Sequence, residues 1–178
     1  MALDFAKITV GGLIGSPIDI LDPARIRAQL EETMFEAKDA TDIRARAVVI
    51  LKAANAAGRE KIVAALVEAP YDAPKAIRAY TYLTDEIVKF AIEVATRWLH
   101  PQASMTTAQT ITAMAVGGYG RGEMAPFSDV DLLFLTPYKQ TAWGESVIES
   151  VLYTLWDLRL KVGHAVRTVD DCIRLGRE

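Results

Sequence analysis

The chain has 178 residues, 51% of them apolar and 24% charged, with a formal net charge of −3. That length suits one domain, or one domain with an extension, and the charge leaves no basic footprint for bulk nucleic-acid binding. The single cysteine, Cys172, excludes an internal disulfide and a cysteine-based zinc site, and its helical setting predicts a buried thiol. No apolar run approaches the ~20 residues needed to span a bilayer. The opening Met-Ala-Leu-Asp-Phe-Ala-Lys lacks the layout of a signal peptide, so the expected location is cytoplasmic.

In chain order, the first hundred or so residues read as helical. Gly11-Gly-Leu-Ile-Gly15 has the wrong spacing and flanks for a dinucleotide fingerprint and reads as a turn-forming lead. Asp22-Pro23 starts a helix, with Asp as N-cap and Pro at the first helical position. The run from Ala24 to Ala57 is rich in helix formers; the pattern predicts a break near Thr41-Asp42 and a C-cap at Gly58. A shorter helix over Arg59–Ala69 is stopped by Pro70 and Pro74. The next, Lys75–Leu99, carries Ile77, Tyr80, Ile87, Ala91, Ala95 and Trp98 at helical spacing, as core residues rather than base-stacking groups.

After His100-Pro101 the pattern changes. Strands are expected over Thr110–Val116, Val130–Thr136 and Lys161–Thr168. A helix from Ala142 to Leu160 directs Ile148, Val151, Leu152, Leu155 and Leu158 inward. A last helix opens near Asp170, with Asp170 and Asp171 as capping residues rather than metal ligands. The predicted fold class is α+β: a helical region over residues 1–100, then a small mixed sheet over 101–178, with its final helix unfinished.

The chemistry concentrates between the first two strands. Val116-Gly-Gly-Tyr-Gly-Arg-Gly-Glu-Met-Ala-Pro-Phe-Ser-Asp-Val-Asp131 joins a glycine turn to an apolar strand. Residues i and i+2 of a strand share a face, so Asp129 and Asp131 converge, roughly 6–7 Å apart at Cα. Two carboxylates held that close favour a cation between them. Glycines 117, 118, 120 and 122 permit positive φ and close backbone approach, and free N–H groups in such a turn cradle phosphate. Arg121 adds a fixed positive charge; Ser128 closes the loop before Asp129. Candidate nucleotide contacts are therefore Gly117, Gly118, Arg121 and Ser128. Two Mg²⁺ suit an open carboxylate pair completed by phosphate and water. Glu123 is a weak metal candidate. His164 is a candidate proton carrier, with a structural histidine as the alternative. Arg167 alternates with Gly163 and Ala165 on one face, placing it either at a phosphate or in a surface ion pair.

This order of strand, glycine turn and Asp-x-Asp strand resembles the nucleotidyltransferase superfamily that includes DNA polymerase β. The segment 116–135, with Tyr153 to Thr168 and more weakly Arg78 to Trp98, is similar to the bacterial protein-PII uridylyltransferases, over roughly the last hundred residues. Arg159 departs from that pattern, which has a small residue, glycine, at this turn. The resemblance implies transfer of UMP from UTP to a tyrosine hydroxyl of the nitrogen-signalling protein PII, with Mg²⁺ as cofactor and pyrophosphate released. It assigns uridylyl removal and glutamine sensing to further domains, an HD-type hydrolase and two ACT domains, that are not in this sequence. No membrane or nucleic-acid partner is expected. The residues alone leave open another nucleotide, another acceptor, or a truncated piece that binds without catalysing.

Overall fold

The computed structural model describes residues 12–102 and 110–177; the opening heptapeptide and Gly11 of the lead segment lie outside them. The helical region comprises α1 (Pro17–Ile20), α2 (Pro23–Phe35), α3 (Ala40–Glu68) and α4 (Ala73–Glu93), the last continued by a π-helical turn over Val94–Leu99. The rest comprises β1 (Thr112–Ala115), the short α5 (Gly117–Gly120), β2 (Val130–Thr136), α6 (Ala142–Asp157), β3 (Val162–Thr168) and α7 (Val169–Leu175). This is the expected α+β fold with a small mixed sheet.

Local sequence signals account for several boundaries. Asp22 caps α2, its Oδ1 accepting from the N–H groups of Ala24 at 3.0 Å and Arg25 at 3.2 Å. The break after α2 falls at residues 36–39, earlier than Thr41-Asp42. Asp39 takes the cap, its carboxylate accepting from Asp42 N–H at 2.9 Å. Gly58 does not end a helix, and the helix expected from Arg59 is part of α3. A Cβ on Gly58 would stand 2.7 Å from Leu83 Cδ1 and 2.9 Å from the Ile20 carbonyl. The glycine lets α4 and the end of α1 press against α3, and that close packing outweighs its poor helix propensity.

Four residues of the helical stripe, Tyr80, Ile87, Ala91 and Ala95, are buried, with Ile77 and Trp98 half-buried. Ile148, Val151, Leu152, Leu155 and Leu158 of α6 and its C-cap are buried too. Together with Val130, Leu132 and Phe134 they form one hydrophobic core shared by the helices and the sheet.

The sheet order is β1-β2-β3, with β1 antiparallel and β3 parallel to the central β2. The parallel pair is joined through α6, as parallel strands require a crossover. Burial alternates strictly along β2: Val130, Leu132, Phe134 and Thr136 are buried, whereas Asp131, Leu133 and Leu135 on the other face are half-buried. The register puts Asp131 beside Gly163, Leu133 beside Ala165 and Leu135 beside Arg167. Thr168 and Asp171 form a reciprocal capping box on α7, so Asp171 serves as a cap as expected. Cys172 is half-buried, not buried, because α7 has no buried residue. Among the described residues no helix is long and apolar enough to cross a membrane.

A candidate nucleotide and metal site on the open sheet face

Asp131 projects from β2 on the face away from the core, and two glycines make the space for it. A Cβ on Gly117 would stand 2.9 Å from Asp131 Oδ2, and a Cβ on Gly163 would collide with Oδ1. Gly117 comes from the turn after β1 and has φ +61°, a region disfavoured for other residues. Gly163 comes from β3 and is placed by the parallel register. The carboxylate therefore sits in a slot between two bare Cα atoms. The Val116 N–H donates to the Asp131 carbonyl at 3.0 Å, pinning the start of the turn to the same strand residue.

The slot opens into a cleft of about 360 Å³ lined by Val116, Gly117, Asp131, Leu133, Gly163, Ala165 and Arg167 among others. Gly163 to Arg167 is four residues of strand, or about 13 Å at the usual rise, so a carboxylate and a guanidinium stand towards opposite ends of one groove. Arg167 is exposed on the same face as Gly163 and Ala165, as the alternation predicts. Asp129 stands just before β2, exposed, two residues from Asp131.

Gly118, Arg121, Ser128 and Asp129 are not part of the cleft lining. Gly118 has no positive φ; within the turn that conformation belongs to Gly117 and Gly122. Gly120 is required for another reason, since a Cβ there would stand 2.6 Å from the Ala115 carbonyl oxygen. Arg121 is exposed and its Nε donates to Glu123 at 2.8 Å, which engages both side chains with each other at the surface. Ser128 Oγ accepts from the Ala125 N–H at 2.9 Å and so closes the turn that precedes Asp129. His164 borders the cleft, but alternation turns its imidazole to the opposite face. There it meets the edge of Trp156, with ring centroids 6.3 Å apart. The arrangement fits the structural alternative for this histidine.

Among the described residues no group of three or more His, Cys, Asp or Glu is gathered for a metal; Asp131 lines the cleft, and Asp129 lies two residues before it, outside the lining. Hard oxygen donors, no competing cationic side chain on either aspartate among the described residues, and an open groove for phosphate are the conditions Mg²⁺ prefers. The residues present thus fit that ion. Gly163 is the site residue that motif reading missed. Its signal was a glycine inside an apolar strand, which marks a close approach; what approaches it depends on the register.

Helices and a small mixed sheet, with Asp131 of the Asp-x-Asp run set against the glycine turn, are the arrangement expected of a nucleotidyltransferase-type enzyme. Similarity to known proteins narrows this. The chain is 57% identical over 159 residues to the bifunctional uridylyltransferase/uridylyl-removing enzyme of Ruegeria pomeroyi, matching 89% of this chain and 18% of that protein. It is 56% identical over 140 residues to the enzyme of the same description from Cereibacter sphaeroides, and 40% over 164 residues to that of Rhodospirillum rubrum. The chain belongs to this family and spans only 15–18% of the length of these three members. A match of 159–164 residues also carries the likeness into the helical region, beyond the last hundred residues. No family model matches the chain, and no solved structure does.

Proposed function

We propose that this chain carries the transfer site of a cytoplasmic enzyme moving UMP from UTP to a tyrosine hydroxyl of the PII signalling protein. The observation that carries the reading is the slot: Asp131 held between Gly117 and Gly163 at one end of a groove, in a homologue of uridylyltransferases. In this reading the tyrosine hydroxyl gives its proton to solvent, its oxygen bonds to the α-phosphorus of UTP, the bond from that phosphorus to the oxygen bridging to the β-phosphate breaks, and pyrophosphate leaves. Asp129 and Asp131 would hold Mg²⁺, which when bound neutralises charge on the triphosphate and the leaving group.

The protein's own part is positioning. Gly117 and Gly163 fix where the Asp131 carboxylate can lie. In this reading Gly117, which lines the cleft, lets the backbone of the turn approach the phosphate oxygens closely. Arg167 offers a second positive group along the groove, and Met114, Leu133 and Ala165 form an apolar floor on that face. Uridylyl removal and response to glutamine belong, in this reading, to parts of the relatives outside the matched segment.

The test uses labelled nucleoside triphosphates, Mg²⁺ and purified PII, with this chain and with a form extended to the length of its relatives. The expected result is label on a PII tyrosine from UTP only. Asp131→Asn, which preserves shape, is expected to lower transfer at least ~10²-fold, as loss of a preorganised electrostatic group does. Transfer from another triphosphate or to another acceptor, or full activity in Asp131→Asn, would overturn the reading.

A further inference from the structure

The helical region grips the loop that bears the site at two points. From α4, Asp85 accepts a hydrogen bond from the Tyr119 hydroxyl at 2.7 Å. Tyr119 lies between Gly118 and Gly120 in the glycine turn and is only 4% exposed. From α3, Arg59 donates to the Pro126 carbonyl. Its guanidinium also lies over the rings of Tyr80, at 5.3 Å, and Phe127, at 5.9 Å. Tyr119 is two residues beyond Gly117, and Phe127 is two residues before Asp129. The segment between is mostly turn and irregular chain. Such chain holds its geometry only where side chains tie it down.

We propose that Asp85 and Arg59 are positioning residues for nucleotidyl transfer, holding the glycine turn through Tyr119 and the Asp129 segment through Pro126. This assigns the helical region a function: it sets the shape of the metal and phosphate loop. The proposal rests on the reading of the site given above.

The chemistry of Asp85 supports the assignment. Burial pushes its carboxyl up to about 6, against the Tyr119 hydrogen bond and the nearby Lys89, which favour the charged form, and with Glu86 opposing it. Lys89 and Glu86 lie on α4 and Tyr119 on the turn packed against it; Glu86 is itself bonded to Lys89 at 2.6 Å. Near neutral pH the ionised carboxylate makes a charge-assisted bond, stronger than a neutral one. A carboxamide could accept the same hydrogen bond without burying a charge. The carboxylate thus tightens the hold on the turn while costing the fold stability, and the two effects can be separated.

The experiment measures Mg²⁺-dependent binding of a non-hydrolysable UTP analogue, thermal unfolding and amide hydrogen exchange, in the parent chain, Asp85→Asn, Tyr119→Phe and Arg59→Met. Asp85→Asn is expected to unfold at higher temperature at pH 8 yet bind the analogue about tenfold more weakly, the low end for weakening an interaction that supports a metal site. Amides of residues 117–123 should exchange several-fold faster while those of α4 stay unchanged. The affinity gap to the parent should close as pH falls below about 6, where Asp85 becomes neutral. Tyr119→Phe and Arg59→Met should loosen the turn and the Asp129 segment respectively. Unchanged affinity and exchange in all three variants would overturn the proposal, and so would affinity that simply follows thermal stability. If the parent does not bind the analogue, or Asp131→Asn binds it equally, the site reading itself fails, and the exchange data alone then show whether the two holds exist.

Discussion

Replacing Gly163 with alanine adds one methyl group at the tightest Cβ position among the described glycines. The new Cβ would collide with Asp131 Oδ1, and Gly117 closes the other side, its own Cβ position lying 2.9 Å from Oδ2. Two outcomes are open to the protein. If the strand holds, the carboxylate rotates out of the slot; Asp131 is half-buried, so rotation towards solvent is available and stability falls by only about 1 kcal/mol, the low end for overpacking. If the carboxylate holds, β2 and β3 separate and the cost rises towards about 3 kcal/mol. The first is expected, because Leu132 and Phe134, buried on the opposite face, anchor β2. A carboxylate displaced by about 1 Å costs on the order of 10²-fold in a preorganised site, or about 2.7 kcal/mol. Calorimetric titration with Mg²⁺ and a non-hydrolysable UTP analogue, beside thermal unfolding, reads both numbers. Gly122→Ala is the control: nothing lies within 4 Å of its Cβ position, but its φ is +72°, so it should lose about 1 kcal/mol of stability without changing affinity. Parental affinity and stability in Gly163→Ala would refute the slot.

Within the glycine turn, Gly120→Ala should be strongly destabilising because of the 2.6 Å approach to the Ala115 carbonyl, whereas Gly118→Ala, with its nearest neighbour at 3.8 Å, should leave thermal unfolding within a degree or two. Arg159 holds φ +63° as a non-glycine residue; Arg159→Gly should raise stability by about 1 kcal/mol in denaturant unfolding by removing that strain, with nucleotide binding unaltered. The Asp85 carboxyl, raised from 3.8 to about 6 by burial, binds its proton more tightly folded than unfolded, so its contribution to stability is greatest below pH 4 and is lost as pH rises through about 6. At about 1.4 kcal/mol per pH unit the difference reaches at most about 3 kcal/mol. Subtracting the pH–stability curve of Asp85→Asn from that of the parent isolates it, and a flat difference between pH 4 and 7 would show that burial does not raise this carboxyl.

Short-range chemistry was enough for much of this protein. The Asp22-Pro23 helix start, the bounds of β2 and the buried face of α6 each depend on neighbours a few residues away, through capping, strand alternation and helical periodicity. The place of Asp131 on the open face of β2 was legible for the same reason, whereas Asp129 lies just before the strand. The roles of single glycines were not. Gly58 looked like a helix end until Leu83 and Ile20 were brought against it, and of the four turn glycines that permit positive φ, Gly117 and Gly122 adopt it. Gly163 became part of the site only through pairing with Asp131, and His164, at the border of the cleft, has its ring against Trp156. The contact of Tyr119 with Asp85 spans 34 residues of chain. A glycine's purpose is the atom that occupies the space its missing side chain leaves, and that atom is supplied by register and packing between distant segments, which no local pattern encodes.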